Sequence, residues 1–277
     1  METKVTPSDP DRPFHHYTLR HRITAWVSQR IFDGVTYTVR HGLLEGMKRK
    51  GGLGWVPQMF SRHLQSREET FLRNLDLRGN VVYDVGAFEG LVTMFFARSA
   101  RQVVCYEPNR GNRERLLENL ALNRLSNVVV RPLGAGSTPS RATMVFMPLM
   151  RGGASLEEKT VAQLRTNPST VAEEIEITTI DTDRREQGLP PPDFMKIDIE
   201  GFEIEALRGA RQTLLDHRPR LFLEMHGETL REKRRKVAEI VAFLTETGYG
   251  SIEHVESGTR ITQANSEVAV EGHLYCA

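Results

Sequence analysis

Cysteine is nearly absent from this chain: of 277 residues, only Cys105 and Cys276 carry a thiol. Neither has another Cys or a His nearby at metal-ligand spacing. That points away from a disulfide framework and a zinc ribbon, and towards two buried thiols in a reducing compartment. Long hydrophobic runs are missing as well. No apolar stretch approaches the ~20 residues needed to cross a bilayer. The opening METKVTPSDPDRPFHH has no apolar core of the kind a secretion signal needs. The expectation is a cytoplasmic protein without a transmembrane segment. An excess of one charge is also lacking, since 37 Lys and Arg face 36 Asp and Glu for a net charge of +1. General nucleic-acid binding therefore receives no support. A local excess does exist: between Asp11 and His63 nine basic residues face three acidic ones, a net of +6, read first as a solvated basic face and second as a docking surface for an acidic partner.

What is present is a sizeable apolar fraction, 39% of the chain, arranged in two styles. Residues 1–66 read as a basic appendage. Its first 13 residues are rich in proline and charge and are expected to be disordered. Apolar residues then recur at helical spacing over 17–32, and Val35, Tyr37 and Val39 alternate with polar residues as a short strand would. KRKGGLGWVP reads as a loop. His15, His16, His21 and His41 lie scattered among arginines and read as surface residues. A helix over 68–75 leads to a turn at Gly79-Asn80 and the main domain, 67–277.

From Val81 onward short apolar strands alternate with helices: strand 81–85, helix 91–100, strand 103–106, helix 113–123, strand 128–132. After a break the rhythm resumes with strand 194–199, helix 203–215, strand 221–225 and helix 233–247. That alternation predicts a doubly wound α/β fold, Rossmann-like, with a mostly parallel sheet and helices on both faces. The break, residues 134–183, is an insertion with expected strands at 144–147 and 175–180. The apolar run 144–150 reads as core or as a flap facing the substrate. Segments 251–255 and 273–276 are expected to close the fold as an antiparallel hairpin.

The most informative segment is Tyr83-Asp84-Val85-Gly86-Ala87-Phe88-Glu89-Gly90. It ends a strand and opens a helix, where open α/β sheets bind ligands. Gly86 and Gly90 allow a sharp turn and a close approach. Their G-x-x-x-G spacing is not the G-x-G-x-x-G that cradles a dinucleotide pyrophosphate. Asp84 suits a cofactor carrying ammonium and sulfonium charges better than one carrying phosphates. Glu107 ends the second strand 21 residues after Gly86 in CYEPN, where a carboxylate can accept from both ribose hydroxyls of an adenosyl group.

These segments, followed by Glu107-Pro108-Asn109, Thr179-Ile180-Asp181, Lys196-Ile197-Asp198-Ile199-Glu200-Gly201-Phe202-Glu203 and Glu224-Met225-His226, make a chain that resembles the FkbM family of methyltransferases from about Val81 to Ala277. KIDIEGFE, with Ala206-Leu207-Arg208-Gly209-Ala210 behind it, is the most specific part. The resemblance implies O-methyl transfer to a hydroxyl of a sugar, glycan or secondary metabolite. It also implies S-adenosyl-L-methionine as cofactor, held by Asp84, Gly86, Ala87, Phe88, Glu89, Gly90, Glu107, Pro108 and Asn109. Phe88 stands where small or polar residues are frequent in such loops.

The chemistry of KIDIEGFE can be read from the residues themselves. Lys196, Asp198 and Glu200 alternate with Ile197 and Ile199, which places the charged groups on one face at the strand end. A sugar hydroxyl is a poor nucleophile, and a base that takes its proton is worth ~10²–10⁴-fold. Asp198, Glu200 and His226 are the candidates; the two acids could equally cap the following helix. Glu224 could orient His226 or line the acceptor site. Clustered acids also raise a divalent ion, although three acids of unknown geometry assign no metal. Two rival readings stand beside methyl transfer: a nicotinamide-dependent oxidoreductase, which the glycine spacing opposes, and a non-catalytic binding module.

Overall fold

A computed structural model describes residues 34–51, 66–146, 171–227 and 229–277. The expected helix over 17–32, the disordered first residues and Trp55 lie outside these segments, as do residues 147–150 of the apolar run.

The body is an eight-stranded sheet. Strand β3 (Val81–Val85) is apolar at four of five positions and buried throughout, as a parallel strand covered on both faces must be. It pairs in parallel with β4 (Gln102–Tyr106), which pairs in parallel with β5 (Val128–Arg131). The chain then returns to the other side of β3 to lay down β9 (Phe194–Ile197) and β10 (Arg220–Glu224), both parallel to it. Strand β13 (His273–Cys276) runs antiparallel between β10 and β11 (Ile252–His254), and the short β12 (Thr259–Arg260) forms the edge. Strand order reverses between β3 and β9, which makes that junction the topological switch point.

Alternate strand residues feed two layers. Tyr83, Val85, Met195, Ile197 and Leu223 pack on one face, against Leu207, Val237 and Ile240 from helices α5 (Glu203–Gly209) and α7 (Leu230–Glu246). Val82, Phe194 and Phe222 face the other layer, with Leu72 of α1 (Arg67–Asn74) and Phe96 of α2 (Leu91–Ala97). Cys105 packs there too, with Leu116 and Leu120 of α3 (Arg110–Leu122). Both thiols are free and buried. Among the described residues no helix is long and apolar enough to cross a membrane.

The insertion carries its own three-stranded sheet, in the order β6 (Gly134–Ala135), β8 (Val171–Thr178), β7 (Ser140–Phe146). Strand β8 stops two residues before Ile180. The Thr179 side chain accepts from Thr182 N and caps a helix, α4 (Ile180–Glu186), so the strand expected to run to residue 180 ends two residues earlier. The expected helix over 203–215 is two helices that meet at Ala210, α5 and α6 (Arg211–His217). Helix α3 starts three residues early, because Asn109 accepts from Asn112 N as its N-cap. The closing pair β11–β13 is antiparallel as expected, but β12 and a 3₁₀ segment (Gln263–Ala269) intervene and no tight turn joins the two strands.

Lys48–Lys50, expected in a loop, form β2, paired antiparallel with β1 (Thr36–Thr38). This hairpin lies on the main body. Lys50 N donates to Asn119 Oδ1 at 2.9 Å and Lys48 N to Asn123 Oδ1 at 2.8 Å, both on α3 or at its end. Val39, Leu44 and Met47 enter the same apolar cluster as Met94 and Leu116.

Candidate functional site

The loop after β3 and the loop after β9 meet at the switch point. Asp198 N donates to Val85 O at 3.0 Å, and Gly86 N and Ala87 N donate to Tyr106 O. At Gly86, φ is +87° and an added Cβ would lie 1.8 Å from the Asp198 carbonyl oxygen. At Gly90, φ is +86° and a Cβ would lie 2.2 Å from Leu116 Cδ1. The two glycines of the motif are therefore sterically required, one to let the loops touch and the other to seat α2 on α3. Two non-glycine residues beside them also adopt left-handed backbone, Phe88 at φ 52° and Glu200 at φ 53°. Such strain gathers at functional sites.

Between the two loops opens a cavity of about 220 Å³, lined among others by Gly86, Phe88, Glu107, Asp198 and Glu200. Pro108, Met144 and Phe202 add apolar wall, and Met144 thus brings the insertion to the site. The Glu107 side chain accepts three hydrogen bonds, from Phe88 N at 2.8 Å, Asn109 N at 2.9 Å and Asn112 Nδ2 at 3.2 Å. Burial raises its pKa, against the pull of those donors.

Other residues of the glycine loop do not line the cavity. Asp84 is wholly buried, takes the Thr93 hydroxyl proton on Oδ2 and sits 3.7 Å from Lys196 Nζ. It braces β3 against β9 and α2. Ala87 packs in the core and Glu89 pairs with Arg49, while Asn109 caps α3 and reaches Glu173. From the loop, Gly86 and Phe88 line the cavity, with Glu107 and Pro108 beside them.

The catalytic candidates converge. His226 Nε2 lies 3.7 Å from Asp198 Oδ1, 3.8 Å from Glu200 Oε2 and 3.6 Å from Glu224 Oε1. Its other nitrogen, Nδ1, is 2.8 Å from Glu203 Oε1, so Glu203 rather than Glu224 orients the ring. Burial works against the imidazolium, but the Glu203 hydrogen bond and the surrounding carboxylates raise its pKa to about 9. Burial raises the Glu200 carboxyl to about 7, restrained by the His226 charge. Burial opposes ionisation of Asp198, yet the Lys196 ammonium, 2.9 Å away, keeps its pKa below the usual range. His226 itself does not line the cavity and meets it through Asp198 and Glu200. Asp198, Glu224 and His226 each bring one atom within 4.8 Å of the others, a grouping that could take a divalent ion. Such an ion would first have to displace the ring proton; at neutral pH the imidazolium is itself the cation among these acids.

A model of the methyltransferase FkbM domain matches residues 84–250. The chain belongs to the FkbM methyltransferase family. Methyltransferase sdnD of Sordaria araneosa is 29% identical over 153 residues, 46% of this chain and 59% of its own length. A crystal structure of methyltransferase FkbM from Methylobacillus flagellatus KT aligns with a TM-score of 0.45 at 22% identity, covering 72% of this chain and 44% of that one. SMU.1697c of Streptococcus mutans, in complex with SAH, aligns with a TM-score of 0.38 at 13% identity, over 67% of this chain and 82% of that one. The chain thus spans under two thirds of the length of sdnD and of the Methylobacillus protein.

Three residues of this FkbM domain escaped the sequence reading. Glu203 is the first residue of α5; its Oε1 also accepts from Gly201 N at 3.0 Å, so it holds both the turn and His226. Lys196, read only as part of an alternating face, is the fully buried cation between Asp84 and Asp198, whose charges outweigh desolvation and raise its pKa. Asn112, one residue ahead of the expected helix over 113–123, lines the cavity. Only Glu203 had a signal: it stands three residues after Glu200, at a helix start where an acid faces free backbone N–H groups.

Proposed function

We propose that this FkbM domain transfers a methyl group from S-adenosyl-L-methionine to a hydroxyl oxygen of a sugar, glycan or secondary metabolite. The observation that carries the reading is the single cavity shared by the ribose-type acceptor Glu107 and the poised acid Glu200. The residues fit the cofactor in a second respect. Asn112 Oδ1, beside Glu107, is buried with no hydrogen-bond partner among the described residues, as an acceptor awaiting a donor-bearing ligand would be. When bound, S-adenosylmethionine supplies an electrophilic methyl carbon on a sulfonium centre.

The chain's own residues divide the remaining work. Glu107 would receive a ribose hydroxyl, and Gly86 and Phe88 would line the cofactor's side of the cavity from the loop. Pro108, Met144 and Phe202 exclude water, which strengthens every charge inside. Glu200, with a pKa of about 7, is half ionised near neutrality, the condition that best suits a general base; its carboxylate takes the acceptor's hydroxyl proton. Asp198 is held ionised by Lys196 and fixes His226, whose positive charge keeps Glu200 from rising further. His226 is in this reading a positioning residue, already protonated and unable to act as the base.

Thermal unfolding with S-adenosylmethionine, S-adenosylhomocysteine and NAD tests the reading. A ligand at a hundred times its Kd adds ~2.7 kcal/mol, so stabilisation by the two sulfur ligands and not by NAD is expected. Stabilisation by NAD alone would restore the oxidoreductase.

A further inference from the structure

We propose that Asn112 is a cofactor-binding residue whose side-chain oxygen accepts one ribose hydroxyl of the adenosyl group while Glu107 accepts the other. This rests on the cofactor reading above. An ionised carboxylate offers about four lone-pair sites. Three of those on Glu107 are taken inside the protein: Phe88 N on Oε2, and both Asn109 N and Asn112 Nδ2 on Oε1. One site is left, on Oε2. A ribose brings two hydroxyl donors, one more than the site left on Oε2.

Asn112 supplies what is missing. Its amide orientation is fixed by chemistry, because the group facing Glu107 Oε1 must be the donor and so must be Nδ2. Oδ1 is thereby turned away from Glu107. It is buried, the residue being only 4% exposed, and no group among the described residues bonds it. Asn112 lines the same cavity as Glu107. An unsatisfied buried carbonyl costs free energy that a ligand hydroxyl would return. The residue is also rigidly placed: its N–H is tied to the Asn109 cap at 2.8 Å in the first turn of α3.

Calorimetric titration with S-adenosylhomocysteine and its 2′-deoxy, 3′-deoxy and inosine analogues tests this on wild type and Asn112→Ala. The expected result has three parts. Wild type loses about tenfold in affinity for one deoxy analogue, the value of one hydrogen bond. Asn112→Ala loses a similar factor for the parent compound. The variant then shows no further loss with that same deoxy analogue. Equal losses in wild type and variant would overturn the assignment, and so would a variant that erases only the inosine discrimination, since the amide would then read adenine. The deoxy series on wild type needs no folded variant: indifference to both deoxy analogues overturns the assignment by itself. If wild type fails to bind S-adenosylhomocysteine at all, the cofactor reading falls, and this inference with it.

Discussion

Arg49 of the β2 strand reaches Glu89 of the glycine loop, with Nη2 and Oε2 3.1 Å apart and both side chains less than a tenth exposed. A segment read from sequence as an appendage thus sets a charge against the loop that opens α2. Removing one partner of a buried ion pair costs about 3–5 kcal/mol. Arg49→Leu is expected to lower urea stability by that order, and Arg49→Leu/Glu89→Gln to recover much of it. Additive losses in the double variant would mean that the pair is not coupled.

Gly86→Ala meets two penalties together, a Cβ 1.8 Å from the Asp198 carbonyl and a left-handed backbone. Left-handed φ costs about 1–2 kcal/mol for an L-residue and overpacking about 1–3 kcal/mol. The expected outcome is a stability loss of roughly 2–5 kcal/mol together with weaker binding of S-adenosylhomocysteine. A variant with normal stability and affinity would show that the two loops need not touch.

The acid and histidine cluster predicts a pH optimum. Glu200 must be ionised to act, so methyl transfer should fall as pH drops through about 7. Loss of the His226 proton as pH rises through about 9 removes the charge that holds the carboxylates of Asp198, Glu200 and Glu224 together, so activity should decline again. The two limbs bound a bell. His226→Gln should remove the alkaline limb; a variant that keeps it would place that ionisation elsewhere.

Stability should follow the same histidine. The His226 pKa is about 6.5 when unfolded and is raised to about 9 in the fold. Its contribution is fully present below pH 6.5 and is lost as pH rises through 9, at most about 3 kcal/mol by linkage. His273, also raised to about 9 because the nearby Glu224 carboxylate and the hydrogen bond that Nδ1 donates to Glu256 outweigh burial, acts in the same direction. Urea titrations at successive pH values should therefore show weakening into the alkaline range, less steep in His226→Gln. An unchanged slope would count against the shift.

Glu203→Gln isolates the orienting contact. It replaces a carboxylate 2.8 Å from His226 Nδ1 with a neutral amide. The imidazole pKa, followed by NMR, should fall from about 9 towards its ordinary value. A ring that still titrates near 9 would show that Asp198, Glu200 and Glu224 suffice.

The doubly wound frame was legible because the signals for β3, β4, β9 and β10 are local: short apolar runs between polar turns. Gly86, Glu107, Asp198 and Glu200 were found because each closes such a run. What sequence could not show is set by partners distant in the chain. Lys48–Lys50 pair as a strand only because Asn119 and Asn123 meet their backbone. Asp84 has the motif position of a ligand residue, yet Lys196 and Thr93 claim it. The strand expected over 175–180 was carried two residues too far because Ile175, Ile177 and Ile180 read as one apolar run, whereas Thr179 caps a helix that starts at Ile180.

The placement of β13 between β10 and β11 has a consequence for how the chain matures. Until residues 273–276 arrive, the flank of β10 is an unpaired edge of Leu221, Phe222 and Leu223, the kind of row that recruits foreign strands. Synthesis must pass through α7 and β11 before that row is covered, so the half-made sheet depends on a chaperone or on speed. Lesions at Leu274 or Cys276 would then surface as aggregated product during expression, more than as a lowered melting point in the molecules that finish.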